Sequence, residues 1–378
     1  MANIEPRTGK ERLAENIVVR KKDDDETLTQ HLKDLDPSLV GAMDGSATLY
    51  DQWRKHKLTE QGLADGIGKL QKTRQATLAD HQVLLQATID RLREMEKRGM
   101  VEIDYRARVR RGDATEVLRS LSVADGQLVF VHSSLSRLGY VEISIEELIH
   151  DLRAAVGESG TLAMPVFSEN YPEVSTEPYD KDKSPSTAGI IGEVFRKMPG
   201  VLRSDNPCHS VAAIGPLAEE FTAPTGNWEM FDRKGPFGKL YDWDGWIIML
   251  GCSLEANTML HAIEAWALPY LPPMYLNVSD GKGGLKRVVC RRFPNWCREW
   301  YGKDEEGKIQ KRLYERGLIS EQALGAGKVY AMKAKDLVDQ CLQVLKKEPG
   351  ILLCERDNCC TCVGCRAMLE DWVVPDTV

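Results

Sequence analysis

The alternation that sets in after Gly126 constrains this chain more than any other feature. Short apolar runs take turns with stretches of helical period. Residues 127–131 read as a strand, Ile145 to Val156 as a helix, 160–167 as a strand, and 188–198 as a helix closed by Pro199-Gly200. Further strands are expected at 210–214, Trp246 to Leu250, 274–278, 287–290 and 329–332, and helices at 257–268 and 335–346. This alternation predicts an α/β sandwich, a central sheet flanked by helices. The later strands lack room for crossover helices between them, so the sheet should be mixed. Gly281-Lys282-Gly283-Gly284 lacks the spacing of a phosphate loop and reads as a hairpin turn.

The first 112 residues have a different texture. Leu78, Leu85 and Leu92, with Ile89 and Met95 on the adjoining face, recur at a helical, roughly heptad period across 71–98. A second helix is expected at 47–58, with Gly62, Gly66 and Gly68 marking the connection. This helical N-terminal extension either packs as a hairpin on its own domain or serves as a homodimerisation or partner-binding arm. The charged run at Arg20-Lys21-Lys22-Asp23-Asp24-Asp25-Glu26 reads as a solvated loop.

Charge narrows the partners. Fifty basic against 57 acidic side chains give a net charge of -7, where a nucleic-acid-binding chain would more often carry a basic excess. The N-terminus holds no apolar signal core, and the longest apolar run, around Trp246 to Leu250, is far too short to cross a bilayer. A cytoplasmic protein acting on a small molecule, with no nucleic acid and no membrane, is the expectation. Five of the ten cysteines crowd into a tail spanning 351–378: Cys354, Cys359, Cys360, Cys362 and Cys365. Thiolates from Cys359, Cys360, Cys362 and Cys365 would suffice for a tetrahedral structural zinc, the alternative being reduced thiols without metal.

Two segments place ionisable side chains beside small residues where a loop meets an element. In Asn206-Pro207-Cys208-His209-Ser210-Val211 a turn feeds a strand with a histidine at its mouth, and histidine handles protons near neutral pH. In Leu250-Gly251-Cys252-Ser253 through Asn257-Thr258 to Glu264, Asn257 or Thr258 can cap a helix on which His261 and Glu264 share a face. A buried carboxylate there could hold an imidazole in one tautomer. Cys208 beside His209 suggests a nucleophile and base, but neighbours entering a strand point to opposite faces, so they would meet only if the turn distorted the strand.

The order of several segments is more specific than any one of them. Val131-His132-Ser133-Ser134-Leu135-Ser136-Arg137-Leu138-Gly139 comes first, followed by Gly160-Thr161-Leu162-Ala163-Met164-Pro165-Val166-Phe167 and Ser184-Pro185-Ser186-Thr187-Ala188-Gly189. Leu202-Arg203-Ser204-Asp205-Asn206-Pro207-Cys208-His209-Ser210 follows, then Gly235-Pro236-Phe237-Gly238-Lys239-Leu240, and last the stretch from Asn257 to Glu264. Together these resemble the aminoglycoside 3-N-acetyltransferase family, over about residues 114–350. The resemblance implies an acyl-coenzyme A-dependent N-acyltransferase domain over 113–350, moving an acetyl group from acetyl-coenzyme A to the amine of a small hydrophilic substrate such as an aminoglycoside. It implies His209 as general base oriented by Glu264, and Ser133, Ser134, Leu135, Ser186 and Thr258 as cofactor contacts. Plain helix capping would also explain Ser186 and Thr258. Glu169, Tyr171 and Asp180 fall where the family builds its acceptor pocket, and carboxylates there would attract an ammonium group. Cys208 and Ala188 stand where the family commonly carries threonine and methionine, which bears on the acyl group. The long N-terminal extension points to a biosynthetic or otherwise dedicated enzyme. The alternatives are another acyl group or nucleophile, and a noncatalytic scaffold with the family fold.

Overall fold

The computed structural model describes residues 19–21, 97–98, 101–103, 108–168, 178–269, 271–280, 282, 284–292, 309–353, 366–369 and 372–375. Its centre is a seven-stranded sheet. In chain order the strands are β1 (Leu128–Ser133), β2 (Thr161–Pro165), β3 (Leu202–Arg203), β4 (Val211–Ile214), β5 (Trp246–Leu250), β6 (Ser320–Leu324) and β7 (Gly327–Lys333), arranged β6-β7-β5-β1-β2-β4-β3. The middle three, β5, β1 and β2, run parallel, and both flanks are antiparallel. The expected mixed sheet is therefore present.

Strand alternation sorts the core into two layers. Val129, Val131, Leu162, Met164, Ile248 and Leu250 face helices α1 (Asp113–Ser120), α2 (Ile145–Val156) and α3 (Ile190–Phe195). Leu128, Phe130, Ala163, Ile247 and Met249 face the opposite layer, built from α4 (Ala218–Thr222), α5 (Pro236–Asp242), α6 (Met259–Ala267), α7 (Ile309–Glu315) and α8 (Ala334–Lys347). Burial on both faces explains why the central strands read as continuous apolar runs. The start of α2 is fixed by a reciprocal cap: Ser144 Oγ accepts from the Glu147 N–H at 3.1 Å, and the Ser144 N–H donates to the Glu147 carboxylate at 2.9 Å.

Three expectations change. The strands of the later region do not all join the central sheet: Leu271–Ser279 and Leu285–Arg292 form a separate antiparallel hairpin. The turn expected at 281–284 closes it, with Asp280 Oδ1 accepting from the Lys282 and Gly284 N–H groups. So short a connection can only double the chain back, and one hairpin face, Leu276, Val278, Val288 and Cys290, enters the core while Tyr275, Leu285 and Val289 stay exposed. Second, β4 begins at Val211, two residues beyond His209. Pro207 and the Asn206 side chain impose a turn there, for Asn206 Oδ1 accepts from the N–H groups of both Cys208 (3.0 Å) and His209 (2.8 Å). Third, Arg20 and Lys21 belong to a short strand, Val19–Lys21, paired antiparallel with Val101–Ile103, so this part of the charged run is not loop. The helices expected at 47–58 and 71–98 lie outside the described residues, apart from Lys97 and Arg98.

Candidate active site

The connection from β1 to β2 passes over the α2 layer, whereas β5 reaches the other side of β1 from the α5 layer. The chain thus reverses direction of winding at β1, and in open α/β sheets ligands bind at the carboxyl ends of the strands beside such a switch point, here β1 and β5. Ser133 ends β1. The Ser134 N–H donates to the carbonyl of Leu250 at the end of β5 (2.9 Å), and Ser134, Leu135 and Arg137 turn into a short 3₁₀ helix, Leu135–Arg137. Gly251 sits against this turn with φ +69°; a Cβ there would lie 2.7 Å from the Ser134 carbonyl oxygen.

Ser186 lies in the turn that leads to Gly189, where a Cβ would lie 3.8 Å from the Ser133 carbonyl oxygen. The Ser186 backbone N–H donates to the Glu193 carboxylate (2.7 Å) and its Oγ accepts from the Ala188 N–H (3.2 Å). The N-cap of α3 is Gly189, three residues on, because its φ of +101° suits glycine, so the capping explanation of Ser186 fails. The next residue, Thr187, donates through both N–H and Oγ1 to the Phe167 carbonyl, which lays the Ser186 turn along the exit of β2.

On the α6 side of the sheet an aromatic cluster brings three histidines together. Phe130, Phe237 and Phe231 pack in series, with centroids 5.6 and 5.1 Å apart. His132 meets Phe130 edge-on at 5.1 Å, and His209 lies between Phe167 (4.7 Å) and Phe231 (4.9 Å). Phe231 is also 6.3 Å from His261. The sequence-predicted pair on α6 forms as expected: Glu264 Oε2 lies 2.7 Å from His261 Nδ1, and Glu264 is 0% exposed. A carboxylate in a site this dry requires such a partner. His209 Nδ1 lies 3.1 Å from the sulfur of Met230, and Phe231 links its ring to the His261–Glu264 pair.

Thr258 stands at the N-cap of α6, yet its side chain makes no capping bond; Asn257 Oδ1 accepts from the Met259 N–H instead (3.1 Å). The Thr258 N–H donates to His132 Nε2 (3.4 Å), which ties the helix start to the end of β1. Asp180 is occupied in its own loop, accepting from the N–H groups of Asp182 and Lys183. Glu169, Tyr171, Cys359, Cys360, Cys362 and Cys365 lie outside the described residues. Among the described residues, no cluster of three or more histidine, cysteine or acidic side chains could hold a metal, and no helix is long and apolar enough to cross a membrane. Sequence reasoning assigned no role to His132 or Arg203. The available signals were a histidine interrupting an apolar strand and an arginine shortly before the histidine turn.

The fold is a mixed α/β sheet flanked by helices, and a buried imidazole–carboxylate pair, His261 and Glu264, lies on one side of it. Residues 130–346 match the family model described as aminoglycoside 3-N-acetyltransferase. Aminoglycoside N(3)-acetyltransferase IV of Salmonella sp is 30% identical over 268 residues, covering 70% of this chain and 97% of the relative. Aminoglycoside N(3)-acetyltransferase III of Acinetobacter baumannii is 32% identical over 273 residues, covering 62% and 91%. The solved apoenzyme of aminoglycoside acetyltransferase AAC(3)-IVa superposes with a TM-score of 0.60 at 30% identity, covering 69% of this chain and 98% of that one. A histidine-to-alanine mutant of that enzyme, solved in complex with a gentamicin, gives 0.61 at 29% identity over the same shares, and AAC-IIIb solved with CoASH gives 0.55 at 25%, covering 64% and 97%. The chain belongs to the aminoglycoside 3-N-acetyltransferase family, whose members are acyl-coenzyme A-dependent N-acetyltransferases.

Proposed function

We propose that this protein transfers the acetyl group of acetyl-coenzyme A to an amino group of an aminoglycoside or closely related amino compound. The observation that carries the chemistry is the buried Glu264 carboxylate 2.7 Å from His261 Nδ1, with the His261 ring 6.3 Å from Phe231 of the aromatic cluster. With the Nδ1 proton donated to Glu264, the lone pair of the imidazole lies on Nε2, where it can take the proton that the amine loses as its nitrogen attacks the thioester carbonyl. Glu264 fixes the tautomer and stabilises the imidazolium that forms. The new C–N bond replaces the C–S bond, and coenzyme A leaves as the thiol.

His209, the base that the family resemblance implies, is the second reading, favoured by its place in the same cluster, between Phe167 and Phe231. Its ring then acts on the amine directly; in the first reading it forms a wall of the acceptor site. Ser133, Ser134, Leu135, Ser186 and Thr258 contact the donor in either case, and Glu169, Tyr171 and Asp180 contribute to the acceptor side.

The deciding experiment titrates wild type, His261→Ala, His209→Ala and Glu264→Gln with acetyl-coenzyme A, then follows thiol release with a panel of aminoglycosides. The first reading expects all four to bind the donor, with turnover lost in His261→Ala and impaired in Glu264→Gln. Full turnover by His261→Ala with loss in His209→Ala would move the base to His209. Donor binding without thiol release from any aminoglycoside would overturn the acceptor class.

A further inference from the structure

We infer that Arg203 is a positioning residue that holds the donor turn at Ser186 and the turn carrying His209 in register across the exit of β2. The inference rests on the acetyltransferase reading above. Arg203 is buried at the end of β3, and its guanidinium reaches three separate segments. Nε donates to Ser210 Oγ (3.1 Å), next to His209. Nη2 donates to the Val166 carbonyl (2.8 Å), next to the Phe167 ring that packs on His209. Nη1 donates to the carbonyls of Lys181 (3.1 Å) and Ser184, the latter two residues before Ser186. Ser210 Oγ also donates to the Val166 carbonyl (2.8 Å), which closes the arrangement on the β2 side.

Among the described residues no carboxylate pairs with Arg203; its donors go to neutral oxygens. A salt bridge would tie the cation to one spot, whereas this set of acceptors spreads the same charge over three chain segments. Tyr179 completes the enclosure, its ring 5.3 Å from the guanidinium carbon and its hydroxyl donating to the Ser204 carbonyl at 3.0 Å. Only the planar, five-donor fork can serve acceptors in these directions at once; a lysine ammonium has one nitrogen and would leave buried carbonyls unserved. Glu193 holds Ser186 as well, but it ties the turn to its own helix rather than to the histidine turn.

The test compares wild type, Arg203→Lys, Ser210→Ala and, as a remote control, Arg119→Ala on the exposed side of α1. Each is examined by calorimetric titration with acetyl-coenzyme A, by steady-state kinetics with an accepted aminoglycoside, and by thermal melting. Misplacing reacting groups by about 1 Å costs on the order of 100-fold. We therefore expect kcat of folded Arg203→Lys to fall ~10- to 100-fold, Ser210→Ala to fall less, and Arg119→Ala to match wild type. An arginine that merely stabilised the fold would lower Tm and leave kcat per folded molecule unchanged; that outcome overturns the inference. Should Arg203→Lys fail to fold, Ser210→Ala decides alone, and wild-type kcat there overturns it. Absence of acetyl-coenzyme A binding by wild type would instead overturn the acetyltransferase reading, and this inference with it.

Discussion

The backbone N–H of Thr258 donates to Nε2 of His132 across 3.4 Å, although 126 positions separate the two residues in the chain. This bond needs an unprotonated Nε2, and burial pushes the His132 pKa down from 6.5 to about 3. The unfolded chain takes up this proton below pH 6.5, while the folded protein resists it until about pH 3. Stability tied to His132 is therefore full above 6.5 and lost as pH falls through that window, at roughly 1.4 kcal/mol per pH unit. Urea midpoints of wild type and His132→Gln should diverge between pH 7.5 and 5, with the wild type the more acid-sensitive. Parallel profiles would refute the assignment.

Glu264→Gln keeps the shape of the side chain and removes its charge. On the proposed His261 reading the imidazolium formed in turnover then loses its counter-charge, so kcat should fall by about 100-fold or more, while acetyl-coenzyme A affinity stays at the wild-type value. Stopped-flow thiol release alongside calorimetry separates the two quantities. An equal loss of both would mean that Glu264 serves donor binding instead.

At Gly251, φ of +69° and the nearby Ser134 carbonyl both exclude a side chain. Gly251→Ala should cost about 1–3 kcal/mol and weaken acetyl-coenzyme A binding, because relief of the clash must push the Ser134 turn. Thermal melting and calorimetry check this; an unperturbed donor affinity would detach the Ser134 turn from the donor site.

Asn206 shapes the histidine turn from both ends. Besides accepting from Cys208 and His209, its Nδ2 donates to the Trp228 and Glu229 carbonyls (3.3 and 3.2 Å). Asn206→Ala leaves these groups unserved, so a loss of about 1–3 kcal/mol is expected together with reduced turnover. Asn206→Asp retains the acceptor and should recover part of both, read by urea denaturation and initial rates.

Much of the fold was legible because burial on both faces leaves its mark in the residues themselves: helix Ile145–Val156 and strand Trp246–Leu250 have the predicted bounds. Leu202–Arg203 escaped because two residues carry no periodicity, and Ser320–Leu324 because all but Leu324 face solvent and leave no apolar pattern. The pairing of His261 with Glu264 could be read from their i, i+3 spacing. The aromatic cluster joining His132, His209 and His261 could not, for it is assembled by the order of strands in the sheet. Likewise the turn at Asn206 was visible as Asn-Pro, but not that it would carry on through His209 and delay the strand.

The site also has a temporal aspect. Thr258 at the start of α6 meets His132 in β1 once β5 has docked beside β1, and parallel pairing across more than a hundred intervening residues is slow because loop closure must precede it. During refolding, helical content should therefore return ahead of enzymatic competence, and a nascent chain that ends before Trp246 would possess the Ser134 and Ser186 turns without the helix that carries His261 and Glu264. Recovered activity should then report the pairing of β5 with β1, the widest in sequence of the central sheet.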